Sequence, residues 1–462
     1  MTAEATAATI PAAPAPLSLG RKLSLAVGDF GMNLYWQSIT YFLLYFYTDV
    51  VGLSVGVAGT IYMAASIFDG CIDPLFGALI ERTNTRWGKY RPWLVAGAAP
   101  LALSFMLIYW SPSASGTVLV VVVTAAHLMF RMCYTSVAVP MASLVARVTR
   151  DSGERASLTG YRMLFAAAGS MTVALGTRPL TAMLGSTEAI GFLWVAVLSG
   201  ILASAIFLFV AARVIEPQES AAQVGMPAPS AAQRWRATFA NRAFCTLVVG
   251  LLGAQLAITV ISKSLIYYFK YVVKDVDASS PALTIVTSSA FVLVPFWSWL
   301  ARRRGKREVW LTGAGIAFAT LCLFLAVRPT GATAATAFYI VMQIAVVAMI
   351  VSYWSLLPDT VEFGELASGW RMEAFLVGLF MFFQKMGLGL AAGALGWALS
   401  LAGVENMETG AAKMAAMLPI VIAVLAGAGV ALSGIATYLS PMKRGVHEDI
   451  CDQLAARERA AG

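Results

Sequence analysis

The sequence predicts an all-α membrane protein with twelve transmembrane helices arranged as two halves of six. Three observations lead there. First, the 462 residues are 59% hydrophobic and only 12% charged, with a mean hydropathy of +0.76. A soluble chain of this size could not cover its surface with so few polar groups, and disordered chains are polar and highly charged. Second, apolar runs recur that are long enough for the roughly 20 residues a spanning helix needs. They are continuous rather than alternating, which excludes a membrane β-barrel. Third, the longest polar segment, 214–242, divides the runs six and six.

The first half holds runs at 23–48, 54–80, 92–110, 116–145, 157–183 and 189–213. The second holds 243–269, 280–300, 309–327, 334–357, 372–402 and 411–439. Between them lies the linker, with Glu216, Pro217, Pro227, Pro229, Arg234, Arg236 and Arg242. The expected organisation is a flexible tail over 1–21, a six-helix half over 22–213, the linker over 214–242, a second half over 243–440 and a tail over 441–462. The first twenty residues lack a basic start, an apolar run and a cleavage site, so no cleavable signal is expected.

Charge placement sets the orientation, because cytoplasmic loops are enriched in Lys and Arg. With the N-terminal tail inside, 23 of the 32 bases fall on inner segments and five on outer ones. Both termini are then cytoplasmic, in a multi-pass protein of the cell (inner) membrane. A net charge of +8 spread over short loops describes topology, and no nucleic-acid partner is expected. The five cysteines match no metal spacing and read as free thiols. The halves also echo each other: Gly88-Lys89-Tyr90-Arg91 follows run two, and Gly305-Lys306-Arg307 follows run eight. Parallel repeats of six spans are a feature of major-facilitator transporters.

Ionisable groups inside the runs are the candidate functional residues, since they are costly in a bilayer. Run two carries Asp69 and Asp73, four apart and so on one helix face. Two adjacent carboxylates in low dielectric cannot both stay ionised without a cation or a basic partner. That is cation-binding chemistry, for Na⁺ or H⁺. Arg131 and Thr135 share a face of run four, and Arg131 is the expected charge partner of the acid pair. Lys385 lies deep in run eleven, Lys263 in run seven and Arg162 in run five. His127 on run four reads as a packed, hydrogen-bonded histidine rather than a proton relay. On run one, Asn33, Trp36 and Gln37 recur at helical spacing. An aromatic face with amide donors and acceptors suits a sugar, and pockets combine apolar walls with a few polar groups. Trp354 on run ten is a further substrate candidate.

Several long motifs stand in one order: Gly28-Asp29-Phe30-Gly31 with Asn33, Tyr45 to Ser54, Asp69 with Asp73-Pro74, Arg86 to Trp93, Pro358 to Glu365, and Gln384-Lys385. In these the chain resembles the glycoside–pentoside–hexuronide:cation symporters, the melibiose-permease family of the major facilitator superfamily, from about residue 20 to 440. The resemblance implies cation-coupled uptake of a glycoside, pentoside or hexuronide. It implies a cation site at Asp69, Asp73 and Thr135, a Lys385 that links cation and sugar sites, and Arg162 on the sugar side. Three departures matter. Ser66 stands where many members have Arg, three residues before the first acid, and Arg131 of run four is expected to replace that charge. Ile72 stands where melibiose-type members usually have Asn, which removes an oxygen ligand and favours H⁺ over Na⁺. The galactoside-binding acids correspond to Asn33 and Ala138, which argues against a melibiose-like substrate.

The expected mechanism is alternating access, with no cofactor beyond the co-transported cation and a functional monomer in the lipid bilayer. Inner-gate ion pairs are expected between the bases of the 2–3 and 8–9 loops, including Arg86, Lys89 and Arg91, and the acids Asp359, Glu362 and Glu365, with Arg371 beside them. The rival readings are a transporter of a lipid-like or other non-sugar solute, since the fold alone fixes no substrate, and a sugar receptor, for which the tail from 441 is too short to form an output domain. No nucleophile–base arrangement or metal signature points to an enzyme.

Overall fold

The structure, a computed structural model, describes residues 17–43, 45–53, 55–149, 151–214, 216, 229–275, 278–401 and 411–461. Parts of the tail over 1–21, of the Tyr45–Ser54 motif and of the linker lie outside the described residues. The described chain is helical. The first half contains α1 (Leu19–Ser38), α2 (Val55–Glu81), α3 (Arg91–Ile108), α4 (Gly116–Val148), α5 (Ser152–Leu184) and α6 (Glu188–Arg213). A short α7 (Ala231–Ala240) lies in the linker. The second half contains α8 (Arg242–Tyr268), α9 (Ser279–Ser288), α10 (Ala290–Arg304), α11 (Lys306–Val327), α12 (Ala332–Ser368), α13 (Glu373–Leu401) and α14 (Ala411–Tyr438), followed by α15 (Val446–Ala461). Wider π-helical turns continue α1 through Ile39–Leu43 and Phe46–Val50, and continue α8 through Phe269–Val273.

Among the described residues, ten helical segments are long and apolar enough to cross a membrane. Joining α9 to α10 gives one of them, Pro281–Arg304. Runs one and five are the two expected spans that do not qualify by composition. The reason is visible in their residues: α1 carries Arg21, Lys22 and Asp29, and α5 carries Glu154, Arg155, Arg162 and Arg178. These polar helices lie against each other, α1 on α5, and turn Asp29, Arg155 and Arg162 inward, while Arg21 and Arg178 stay exposed at their ends. Elsewhere the outer surface exposes Leu103, Val121, Ile201, Leu323 and Leu390, as a lipid-facing bundle requires.

Helix starts follow local rules. Asp151 and Thr187 accept hydrogen bonds from the backbone N–H groups of Glu154 and Ile190, and Ser230 forms a capping box with Gln233. The Gly88 turn has a structural cause. Its φ is +103°, and a Cβ there would lie 2.6 Å from the Glu216 carboxyl group. That carboxylate accepts from the backbone N–H groups of Lys89, Tyr90 and Arg91 at 2.7, 3.0 and 2.7 Å. An acid is favourable at a helix N-terminus, so Glu216 ties the linker to the start of α3.

Within the first half, α1 packs on α5 and α6, and α3 on α4 and α6. Within the second, α8 packs on α12, α13 and α14, and α11 on α12 and α14. The halves meet through α2 with α13 and through α5 with α10 and α12. At the first of these seams the backbones touch. A Cβ on Gly77 would lie 2.4 Å from the Ala374 carbonyl oxygen, and one on Gly378 would lie 2.5 Å from that of Asp73. Small residues permit such close crossings without a hydrophobic drive between helices.

Candidate functional site

Asp69 and Asp73 are fully buried on the face of α2 that meets α4 and α13. Lys385 from α13 reaches both, with Nζ 2.7 Å from Asp69 Oδ2 and 2.8 Å from Asp73 Oδ2. Arg131 from α4 lies with Nη1 3.1 Å from Asp69 Oδ2. Thr135 Oγ1 lies 3.0 Å from Asp69 Oδ1 and 2.8 Å from Asp73 Oδ1. A hydroxyl owns one hydrogen. Thr135 therefore donates to one carboxylate at a time, and it can serve both only when the other carries a proton or a cation sits between them. The sequence separations, four on α2 and four on α4, bring these residues to facing helix surfaces.

Arg131 is held from behind. Its Nε donates to His127 Nε2 at 3.3 Å, and His127 Nδ1 faces the Tyr47 hydroxyl at 3.3 Å. An imidazole nitrogen that accepts from a guanidinium carries no proton, so the ring is neutral in this arrangement and acts as a strut. The guanidinium also faces the rings of Trp36 and Tyr62, at 5.2 and 5.7 Å from their centroids. Cations are attracted to aromatic faces.

The candidate substrate residues are dispersed around this centre. Asn33, Trp36 and Gln37 are half-buried on α1. Gln37 Nε2 donates to Asn33 Oδ1 at 3.3 Å, and Asn33 Nδ2 donates to the Asp29 carbonyl oxygen at 2.8 Å. Trp36 lies 5.6 Å from Tyr134, ring to ring, and joins the Arg131 surround. Arg162 of α5 grips Asp29 of α1 in a two-pronged pair at 2.5 and 2.9 Å, the fork geometry that favours arginine. Trp354 packs edge-on against Phe380 of α13 at 5.2 Å, in the second half and away from these contacts. Lys263 is exposed on α8 and takes no part in the described ion pairs.

A second network lies at the end of the bundle that bears both described termini. α12 continues past the apolar run to Ser368, and this polar extension buries Asp359, Glu362 and Glu365. Arg155 of α5 is completely buried and crosses between the halves. Its Nη1 lies 3.0 Å from Asp359 and its Nη2 lies 2.5 Å from Glu362. Lys306 Nζ lies 2.7 Å from Asp359 Oδ2. Arg371 lies 2.6 Å from Glu365 and 3.2 Å from Glu362, pairs with Glu373, and donates to the Ala146 carbonyl oxygen of α4 at 3.0 Å. Tyr90 donates to Glu373 at 2.6 Å, and Glu81 accepts from the Phe375 N–H at 3.0 Å. His447 of α15 completes the cluster, 3.6 Å from Asp359 and 3.5 Å from Glu362. Burial disfavours its charged form, but the Asp359 carboxylate, with Cys451 and Glu362, outweighs that and raises its pKa to about 10.

The gate geometry corrects one expected pairing. The bases of the 2–3 loop do not take the described places beside Asp359, Glu362 and Glu365. Arg91 Nε donates to the Ala211 carbonyl oxygen at 2.6 Å, Lys89 offers its backbone N–H to Glu216, and Arg86 is exposed. The Gly88 turn folds back onto the linker acid, while Tyr90 beside these bases reaches Glu373 of the second half. Lys306 of the 8–9 loop and Arg371 meet the α12 acids as expected, joined by Arg155 of α5. Asp29, Arg155, Tyr90, Glu373 and His447 were missed as site residues. Asp29 stood inside a recognised motif. Arg155 looked like one more loop base, and His447 lies beyond the last run, so neither carried a local signal of burial.

The sequence matches the model of the family described as MFS/sugar transport protein over residues 24–444. The chain is 28% identical to the isoprimeverose transporter of Lactiplantibacillus pentosus over 412 residues, covering 87% of this chain and 84% of that one. It is 27% identical to the glucuronide carrier protein homolog of Escherichia coli over 383 residues, covering 82% of each. Among solved structures it is similar in fold to the E. coli fucose:proton symporter FucP, with a TM-score of 0.63, 18% identity and coverage of 88% and 98%. The membrane-crossing helices in two packed halves, the cross-half polar centre and the match over most of its length together place this chain in the MFS/sugar transport protein family.

Proposed function

We propose that the chain is a cation-coupled symporter of a glycoside, pentoside or hexuronide that works by alternating access. The observation that carries this reading is Lys385. It comes from the second half and ion-pairs with both buried acids of the first, 2.7 Å from Asp69 and 2.8 Å from Asp73. A cation arriving at the acids competes with this lysine, so occupancy alters a contact between the halves. A ligand shifts a conformational equilibrium only through such differential interaction. The cation is H⁺ rather than Na⁺. A sodium ion wants several free oxygens, by analogy with other hard cations, while Ile72 supplies none and the acid oxygens already hold Lys385, Arg131 and Thr135. Asn33, Trp36, Gln37 and Arg162 line the sugar side, with Trp354 contributed by the second half. The names of the isoprimeverose and glucuronide relatives support a sugar cargo.

The end bearing the termini is the cytoplasmic face of the inner membrane, because the basic loops gather there. Its network of Arg155, Arg371 and the α12 acids then holds the cytoplasmic side shut in an outward-facing state. The protein functions as a monomer. The test is uptake into membrane vesicles with an imposed proton or sodium gradient, screened over xylosides, glucuronides and galactosides. Accumulation is expected with the proton gradient and lost in Asp73→Asn. Undiminished gradient-driven accumulation by that variant refutes the coupling assignment.

A further inference from the structure

At the termini-bearing end, one nitrogen fills a point on which three metal-ligating atoms converge. Arg155 Nη1 lies 3.0 Å from Asp359 Oδ1, 2.7 Å from Glu362 Oε2 and 3.3 Å from His447 Nε2. His447 Nε2 is in turn 3.6 and 3.5 Å from those two oxygens. Zinc held tetrahedrally by imidazole nitrogen and carboxylate oxygen, at about 2.0–2.2 Å, sets its ligand atoms roughly 3.4 Å apart. All three side chains are buried. Asp359 and Glu362, three apart, share a face of α12. Cys451, one turn after His447 on α15, has its Sγ 3.7 Å from the same Nε2, and a sulfur ligand favours zinc over magnesium or calcium.

The triad belongs to the second half, and Arg155 does not. α15 rides on α12: Ile450 and Leu454 are buried, and Arg457 donates to the Leu366 carbonyl oxygen at 2.8 Å. Lys306 stays with the same half, donating to Asp359 Oδ2 at 2.7 Å and to the Ser355 carbonyl oxygen at 2.9 Å. Arg155 is tied to its own half, where Nε and Nη2 donate to the carbonyl oxygens of Thr149 and Ala146 at 2.8 and 3.1 Å. Separation of the halves at this end therefore withdraws the guanidinium and leaves the three ligands assembled.

We propose that Asp359, Glu362 and His447 form a zinc site that is open only while the halves are parted at this end, and that zinc bound there blocks transport by excluding Arg155. The ion takes the place of Nη1, so the guanidinium cannot return and the end cannot close. Zinc binds the neutral imidazole, so the His447 proton passes to water as the ion enters. Arg155 and that proton together carry two positive charges, which is the charge the ion brings. A ligand that binds one state alone draws the population into it. The blocking role rests on the alternating-access reading; the site itself requires neither a gradient nor a sugar.

The test uses the purified full chain, with Zn²⁺ and Mg²⁺ as probes. In equilibrium dialysis, Arg155→Ala is expected to bind zinc at least about tenfold more tightly than the unaltered chain, because its site no longer waits for the halves to part. Adding His447→Gln is expected to weaken that binding at least about tenfold, the scale on which even outer partners of a metal site act. Mg²⁺ is not expected to compete. In proteoliposomes with zinc on both faces, the readout is proton-gradient-driven uptake of methyl β-D-xyloside and methyl β-D-glucuronide. At ten times the dialysis Kd of the unaltered chain, uptake is expected to fall roughly tenfold and to recover with EDTA. His447→Gln, compared with its own zinc-free rate, is expected to resist. The site is overturned if Arg155→Ala binds zinc no more tightly, if His447→Gln leaves binding unchanged, or if Mg²⁺ competes equally. Should Arg155→Ala fail to fold, dialysis of the unaltered chain against His447→Gln decides, and equal zinc binding overturns the site. Zinc that binds without slowing uptake overturns the blocking role. Zinc binding with no gradient-driven uptake of any probe leaves the site standing and removes the symporter reading, and the blocking role with it.

Discussion

The two buried charge networks use the same residue types for opposite ends. At the termini-bearing end, Arg155 is completely buried and meets Glu362 through both of its terminal nitrogens, at 2.7 and 2.5 Å. Arg371 binds three carboxylates and a backbone carbonyl. Planar guanidinium forks give these contacts direction as well as charge. At the centre, the cross-half contact is a lysine, a point charge on a flexible stem that is partly open to space. Thr135 offers one hydrogen to two acids. The first network is over-determined and opens only when many contacts break together. The second leaves one carboxylate without the Thr135 hydrogen until a proton or cation arrives, so a single arriving cation can rearrange it.

Breaking the first network produces the largest expected effect. Arg155→Ala leaves Glu362 and Asp359 short of their buried partner and is expected to destabilise the closed arrangement by about 3–5 kcal/mol. Thermal unfolding of the purified variant, together with thiol labelling of a cysteine placed near the α2–α13 seam, measures it. Unchanged melting and labelling contradict the claim that this arginine holds the halves together. Thr135→Val is expected to cost about 1–3 kcal/mol by removing the one hydrogen the acids share. Apparent cation affinity reads this effect, and Thr135→Ser is expected to restore it. Recovery in the valine variant alone would assign Thr135 to packing.

The smallest effect sharpens the comparison through pH. With its pKa raised from 6.5 to about 10, His447 adds stability that is fully present below about pH 6.5 and lost as pH rises through 10. The melting difference between the unaltered chain and His447→Gln is expected to narrow across that window. A difference that grows with pH has the wrong sign and contradicts charge pairing at the terminal cluster.

Much of this was readable from residue order. The i, i+4 spacing of Asp69 and Asp73, and of Arg131 and Thr135, already placed each pair on one helix face. The lone charges in apolar runs marked Lys385 and Arg162. The gate was less legible. Arg155 and the 2–3 loop bases look alike in sequence, as cations at the edge of an apolar run. Which of them meets the α12 acids depends on Glu216 folding back over the Gly88 turn and on α5 crossing against α12. His447, more than eighty residues from the acids it touches, had no local sign of its role.

The sequence by itself determined the lipid environment, the two-half plan and the residues whose charge has no place in a bilayer, because transfer cost and helical period are local properties of composition and spacing. The tertiary structure decided the pairings: Lys385 with both acids, Asp29 with Arg162, Arg155 with Asp359 and Glu362. Ion pairing depends on distance and burial across helices remote in the chain, and only the packed bundle sets those.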